Sequence, residues 1–170
     1  TNGQMMLEGV ASNDYVSFAF GSINYDNKNV GDNRTITIEG VTLGGVNAGN
    51  YMIDANKTLL GNITPKPLDI IRSTSNSTVP GKVYDGNSSA TVATDMLSLV
   101  GLNGTDKVEY TKSSANYNDE NAGVDKDVTV SGISLTGDDA YNYSLSKTSI
   151  IIKGDITPKP LTLIVRHTPT

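Results

Sequence analysis

The single histidine and the clustered acids are the side chains of this sequence that could do chemistry. His167 stands near the C-terminal end, where the sequence offers no partners for a Ser–His–acid triad or a His-based metal site. The pairs Asp119-Glu120 and Asp138-Asp139 could serve as acid and base, but both lie among turn-forming residues, where solvated acids are typical. Cysteine is absent, which excludes disulfides, thiol catalysis and Cys-ligated metals. The sequence therefore predicts a protein that is not an enzyme.

Calcium is the one metal ion that the acidic residues of this sequence could bind. Ca²⁺ takes about six to eight oxygen ligands, which are often carboxylates and carbonyls in loops. Asp14 and Asp106 occupy equivalent positions in the repeat described below, and Asp85 lies near the joint between modules. No Asp-x-Asp-x-Asp spacing with a trailing Glu accompanies them. The sequence favours strand-capping turns and no cofactor, with calcium as the alternative that stays open.

Charge and hydropathy exclude two classes of partner. The net charge is −5, and the 13 Lys and Arg residues are scattered rather than clustered, which argues against binding to nucleic acid. No apolar run approaches the roughly 20 residues that a spanning helix needs, so we expect no membrane insertion. Glycine is frequent (17 residues), tryptophan is absent and phenylalanine occurs twice, a composition typical of strands and turns.

A repeat dominates the chain. The segment Ile63–Leu68 returns as Ile156–Leu161, at an offset of 93 residues, and Asn50-Tyr51 returns as Asn142-Tyr143, at an offset of 92. An offset that changes by only one residue, through one insertion between these segments, indicates tandem copies of one module. Other residues that return are Leu7, Gly9, Asp14, Val16, Asn24, Tyr25, Asn29, Gly31, Gly40, Leu43 and Gly45, which match Leu99, Gly101, Asp106, Val108, Asn116, Tyr117, Asn121, Gly123, Gly132, Leu135 and Gly137.

The two ends of the sequence do not coincide with the ends of the repeat. Thr1 corresponds to Ala93, so the first copy has no counterpart of Leu68–Val92. The expected parts are a truncated module (1–66), a complete module (67–160) and the first strand of a following module (161–170).

An exposed sheet edge in the first copy and the spare apolar strand Leu161–Val165 together predict head-to-tail strand augmentation between chains. Such a contact joins unlike surfaces, so it would propagate rather than close into a dimer. In an intact array the same pairing would link neighbouring repeats of one chain.

The complete copy reads as an all-β module. Period-2 alternation and β-branched residues predict about seven short strands, a number typical of a two-sheet sandwich. Turn signals such as Asp85-Gly86-Asn87 and Asn103-Gly104 separate them. The predicted strands are Leu68–Arg72, Ala90–Ala93 with Leu97–Leu102, Lys107–Thr111, Ala115–Tyr117, Lys126–Leu135, Asn142–Lys147 and Ser149–Lys153.

The segment Asp139–Leu145 has the spacing of an immunoglobulin-like E–F corner. In that corner a tyrosine, here Tyr143, bonds backbone a few residues upstream. Tyr51 holds the equivalent position in the first copy. We therefore expect tandem Ig-like β-sandwich modules. A β-grasp-like mixed module is the alternative, supported by a helical turn expected at Met96–Leu99.

Two proline pairs mark the joints between modules. Pro65 and Pro67 recur as Pro158 and Pro160. Proline fixes φ and pushes the preceding residue into an extended conformation, so each joint should be short and semi-rigid. Joints of this kind predict a rod-like arrangement.

Tyr84-Asp85-Gly86 is the most distinctive tripeptide. As a turn, Asp85 would accept a backbone hydrogen bond, Gly86 would supply a positive φ and Tyr84 would pack over the sheet edge. The alternative is a motif that contacts a ligand.

The chain resembles the YDG-type repeats of large bacterial surface proteins, including filamentous-haemagglutinin-like adhesins. The resemblance covers nearly the whole chain and rests on Lys82–Gly86, Lys28–Gly31, Ala48–Tyr51 and Ile156–Leu161. It implies a stalk or adhesive repeat that is secreted or displayed on the cell surface and that has no catalytic residues.

The alternative function is a binding module for a host-surface protein or glycan. Such a module would need exposed aromatic residues on one face, and a modification at N-glycosylation sequons would mark an exported chain. The candidate aromatics are Tyr15, Phe18, Phe20, Tyr110 and Tyr141, and the sequons lie at Asn33, Asn56, Asn62, Asn76, Asn87, Asn103 and Asn142.

Overall fold

A computed structural model describes residues 5–53, 57–75 and 78–166 of the chain. The chain divides into two compact units, residues 1–64 (unit 1) and 65–170 (unit 2). Within the described ranges there is no α-helix, and the regular structure consists of strands and short 3₁₀ turns. The expectation of an all-β chain is therefore confirmed. His167 and the sequons at Asn56 and Asn76 lie outside the described residues.

Unit 1 contains two antiparallel sheets. The central strand β3 pairs with β2 and β5, and β1 pairs with β4. A 3₁₀ turn, Ala48–Asn50, precedes Tyr51. The strands are β1 (Ser17–Ala19), β2 (Ser22–Tyr25), β3 (Gly31–Glu39), β4 (Thr42–Gly44) and β5 (Lys57–Ile63).

Unit 2 contains the same strands together with further ones. It begins with β6 (Lys66–Arg72) and β7 (Val79–Val83), which precede a 3₁₀ turn at Thr94–Met96. The later strands are β8 (Leu97–Val100), β9 (Glu109–Thr111), β10 (Ser114–Tyr117), β11 (Gly123–Ser131), β12 (Ser134–Thr136), β13 (Tyr143–Leu145) and β14 (Ser149–Thr157).

The sheets of unit 2 mix antiparallel and parallel pairs. One sheet has the order β10-β11-β14-β7, another β13-β6-β8, and β12 pairs with β9. The additional strands make the parallel contacts: β6 pairs with β13 and β7 pairs with β14. β6 thus lies between β13 on one side and β8 on the other.

The core of unit 2 is apolar and closed by β6 and β7. Leu68 and Ile70 of β6 and Val79 of β7 are almost completely inaccessible to solvent. Ile70 and Val79 pack with Val128 and Ile152, which come from the central strands β11 and β14. In unit 1, Ile38 is the one described apolar side chain in the fully buried class.

Several strand predictions were wrong in detail. The predicted strand Lys126–Leu135 is two strands, because Gly132 adopts a φ of +64° and breaks the ladder. Ala90–Ala93 is not a strand, and the neighbouring Ser89 makes a single bridge to Asn116. Strand β7 was not predicted at all, because Pro80 and Gly81 interrupt its alternation.

The helical turn expected at Met96–Leu99 lies earlier in the chain. Thr94–Met96 forms a 3₁₀ turn, and β8 starts directly after it at Leu97. One short turn leaves the module all-β in its regular structure, so it adds no support for a mixed α and β fold.

Candidate functional site

The Tyr84-Asp85-Gly86 tripeptide forms a turn directly after β7. The Tyr84 backbone N–H donates to the Thr157 carbonyl at 2.9 Å, which continues the pairing with β14. Asp85 Oδ1 accepts from the Asn87 backbone N–H at 3.1 Å, and Gly86 has a φ of +79°. This is the geometry of an Asx turn over residues 85–87, with a left-handed glycine as its middle residue.

The Lys82 side chain stabilises this turn through hydrogen bonds. Its Nζ lies 2.8 Å from Asp85 Oδ1, 2.6 Å from the Asn87 carbonyl and 2.9 Å from Asn87 Oδ1. It also lies 5.8 Å from the ring centroid of Tyr117. The hydrogen bond from Lys82 is the main cause of a lowered pKa at Asp85. A lysine ammonium has three donors, and these three acceptors can use all of them. The arrangement therefore holds the loop and leaves little capacity for a ligand.

A second turn in unit 2 uses the same arrangement. Asp119 Oδ1 accepts from Lys126 Nζ at 2.6 Å and from the Asn121 backbone N–H at 2.8 Å. The Lys126 bond is the main cause of the lowered pKa of Asp119. The unit 1 counterpart is an Asx turn between Asn27 and Asn29. Asp119 thus stabilises its turn in the same way as Asp85, through a lysine ammonium and a backbone N–H.

The two corner tyrosines, Tyr51 and Tyr143, make the same long-range hydrogen bonds, and the bond from each tyrosine to its aspartate is called the tyrosine–aspartate tie. The Tyr143 hydroxyl donates to Asp106 Oδ2 at 2.6 Å and accepts from the Asn103 backbone N–H at 3.1 Å. The Tyr51 hydroxyl repeats this with Asp14 Oδ2 at 2.6 Å and with the Ala11 N–H at 3.0 Å. The bond to Asp14 is the main cause of a raised pKa at Tyr51.

The prediction of the hydrogen-bond partner of the corner tyrosines was wrong. An immunoglobulin-like corner bonds backbone a few residues upstream. Here the Tyr143 hydroxyl instead reaches the 103–106 loop, 37 to 40 residues upstream. Asp14 and Asp106, considered above as calcium ligands, hold these tyrosines.

A further side-chain hydrogen bond in each unit holds the backbone that follows the loop bonded by the corner tyrosine. Asp139 Oδ2 accepts from the Lys107 backbone N–H at 2.9 Å, and Asn47 Oδ1 accepts from the Tyr15 N–H at 3.0 Å. Asp139 therefore has the same role as an uncharged asparagine, so its charge is dispensable for this contact. The nearby Gly137 has a φ of +108°, and a Cβ there would lie 2.4 Å from the Lys107 carbonyl oxygen.

A β-bulge also recurs in both units. Asn33 and Asp125 adopt positive φ values of 54° and 51°, at the register shifts of β3 and β11. The Asn33 N–H donates to Asn62 Oδ1 at 2.9 Å and the Asp125 N–H to Asp155 Oδ1 at 2.8 Å. The asparagines of the repeat thus serve as backbone acceptors, a role that sequence analysis had not assigned.

Sequons and aromatic residues are dispersed. Asn142 is buried, and Oδ1 of Asn103 accepts from Lys66 Nζ at 2.8 Å. Tyr15 and Tyr141 are well exposed, but they belong to different units. Phe18 and Phe20 instead line an apolar groove in unit 1.

The unit 1 groove has a volume of about 600 Å³ and is mostly apolar. All residues of its lining belong to unit 1. They include Met5, Leu7, Phe18, Ile38, Met52 and Leu59.

The chain belongs to the YDG domain family, whose pattern matches residues 1–58 and again 64–150. The two matches fall on the two units. No curated protein and no solved structure matches the chain.

Across the described ranges, no group of three or more His, Cys, Asp or Glu residues is arranged to hold a metal ion. In the same residues no helix is long and apolar enough to cross a membrane.

Proposed function

We propose that the chain is a non-catalytic structural or adhesive repeat of a large bacterial cell-surface or secreted protein. In this proposal the tandem modules space or present a binding region located elsewhere in the parent protein. Membership of the YDG domain family and the two matched stretches support a repeat architecture. The absence of cysteine suits a chain that crosses an oxidising compartment.

The recurrent tyrosine–aspartate tie is the observation that carries this proposal. Tyr51–Asp14 and Tyr143–Asp106 have the same geometry in both units. The other recurrent polar side chains, at the Asx turns and bulges, also hold backbone groups. A repeat selected for catalysis or ligand binding would keep recurrent polar groups available to a substrate. Here the recurrent groups stabilise the module itself, as expected of a spacer.

The joint between modules supports an extended array. Strand β5 ends at Ile63 and β6 begins at Lys66, so only Thr64 and Pro65 separate a strand of unit 1 from a strand of unit 2. A two-residue proline connector limits the conformations available to the joint. The rod-like arrangement and an Ig-like sandwich in each module are part of the proposal. The parallel pairs of β6 and β7 are additions to a purely antiparallel sandwich.

A direct binding measurement separates the spacer from an independent binding module. The purified chain is applied to arrays of glycans and of host extracellular-matrix proteins. A spacer gives no saturable binding at micromolar concentrations. Saturable binding that is abolished by Tyr15→Ala or Tyr141→Ala, with Tyr25→Ala as the matched control, would overturn the spacer proposal in favour of a binding module.

A further inference from the structure

Two segments of unit 2 run side by side in the same direction. The first strand of the unit, β6, pairs in parallel with β13, and the next strand, β7, pairs in parallel with β14. These four strands are called the parallel ribbon. The ribbon starts at the pair Lys66 and Tyr143 and ends at the pair Val83 and Thr157. The chain thus enters the ribbon at one end, through Lys66, and leaves it at the other end, through Thr157.

This arrangement decides how the ribbon carries a pulling force. A force along the chain acts on Lys66 at one end of the ribbon and on Thr157 at the other. Since neither end has both of its strands under load, the ladder cannot open one pair at a time. The strands have to slide past each other, so the hydrogen bonds between them break together rather than in sequence. The parallel pairing therefore resists tension along the chain.

The entry end of the ribbon has side-chain bonds in addition to its backbone ladder. The Ser146 backbone N–H donates to the Leu68 carbonyl at 2.9 Å, and Ser146 Oγ donates to Asp69 Oδ1 at 2.9 Å. Lys147 Nζ lies 3.2 Å from the same carboxylate oxygen. Asp69 belongs to β6, and its partners follow β13 directly. These bonds lie across the direction in which the two strands would slide.

The exit end is bonded in a similar way. The Tyr84 backbone N–H donates to the Thr157 carbonyl at 2.9 Å, and Thr157 Oγ1 donates to the Lys82 carbonyl at 3.3 Å. The Tyr84-Asp85-Gly86 turn, which the Lys82 side chain holds, follows immediately. The most distinctive motif of the sequence therefore lies at the point where a pulling force would leave the ribbon.

Burial opposes sliding as well. Leu68, Val79 and Ile156 come from three strands of the ribbon, and each is at most 1% exposed. A slide by one residue moves every side chain of a strand to the opposite face. In β6 it would exchange the buried Leu68 for the charged Asp69. The core therefore resists the same movement that the hydrogen bonds resist.

We infer that unit 2 is a load-bearing module in which the parallel ribbon is the mechanical clamp. The inference rests on the proposed spacer function, because a spacer between an anchored end and a bound end carries tension along its chain. It adds a physical requirement to that function: the module stays folded under a force that would open a terminal hairpin.

Force spectroscopy on the full chain tests the clamp by changing only the direction of the load. Because the chain has no cysteine, Thr64→Cys with Lys159→Cys attaches handles beyond opposite ends of the ribbon. The control, Thr64→Cys with Tyr141→Cys, attaches both handles beyond the same end, each two residues before Lys66 or Tyr143. The three substituted side chains are exposed, so the handles leave the fold undisturbed. Forced unfolding reports the unfolding barrier.

At one loading rate, the first handle pair should need several times the force of the control. Equal forces, or a lower force for the first pair, would overturn the inference.

Two matched substitutions test whether the ribbon itself carries the load. Asp69 and Asp119 each accept from one lysine and from one further group, but only Asp69 lies in the ribbon. Asp69→Ala should lower the force needed between handles at Thr64 and Lys159, whereas Asp119→Ala should leave it unchanged. Both carboxylates are exposed, so both variants fold, which denaturant titration verifies. Equal losses of force, or a loss confined to Asp119→Ala, would contradict the inference.

The clamp and the spacer function can fail separately. A chain that binds no glycan or matrix protein but ruptures at equal force in both directions keeps the spacer function and loses the clamp. A chain that resists load across the ribbon but binds glycans saturably keeps the clamp and loses the spacer function.

Discussion

Tyr143 donates a hydrogen bond of 2.6 Å to Asp106, a residue 37 positions upstream, and the same pair recurs in unit 1 as Tyr51 and Asp14. The bond joins the start of β13 to the loop before β9. Two copies with different neighbouring residues keep the same tie, so it is a recurrent feature of the module, as its strands are.

Removing the Tyr143 hydroxyl should destabilise unit 2. In Tyr143→Phe, Asp106 and the Asn103 backbone N–H both lose a partner beside a largely buried ring. We expect a loss of about 1–2 kcal/mol in the free energy of unfolding, measured by denaturant titration. The matched control Tyr141→Phe, with a well-exposed side chain, should change it by less than about 0.5 kcal/mol. Equal values for the two variants would remove the structural role given to the tie.

Glycine substitutions should follow a definite order of cost. Gly104→Ala meets open space and has no positive φ, so it should be nearly neutral. Gly86→Ala also meets open space but at a φ of +79°, so about 1 kcal/mol is expected. Gly137→Ala combines a φ of +108° with a carbonyl oxygen 2.4 Å from the new Cβ, and should be the most destabilising. Thermal unfolding of the three variants measures the order, and a Gly86 cost above that of Gly137 would be inconsistent with it.

Acid should weaken the Tyr84-Asp85-Gly86 turn. Lys82 lowers the pKa of Asp85 in the folded chain, so the stabilisation is present above the ordinary carboxyl value near 4. It is lost as the pH falls below that value, through the lowered pKa. Asp85→Asn should therefore flatten the fall of unfolding free energy below about pH 4. Lys82→Met should flatten it as well, and the two changes together should do little more than either alone. Additive effects would show that the two side chains are not coupled.

Local features were predictable from the sequence, and long-range ones were not. Gly86 and Asp85 form the expected turn, because a turn depends on a few adjacent residues. Strand β7 was missed because Pro80 and Gly81 break the alternation, while its pairing with β14 depends on residues some 75 positions away. The partner of Tyr143 was missed for the same reason. The repeat offset could have identified it, because Asp14 and Asp106 recur together with their tyrosines.

The extent of the two-unit chain in solution tests the central claim, that the modules extend as a spacer, most directly. Small-angle scattering should be recorded over a concentration series and extrapolated to zero concentration, so that association between chains does not contribute to the measured size. A compact chain of this length has a radius of gyration of about 15 Å. Two modules strung end to end should exceed about 20 Å, with a maximum dimension well above that of a globule. A radius near 15 Å would contradict the extended spacer.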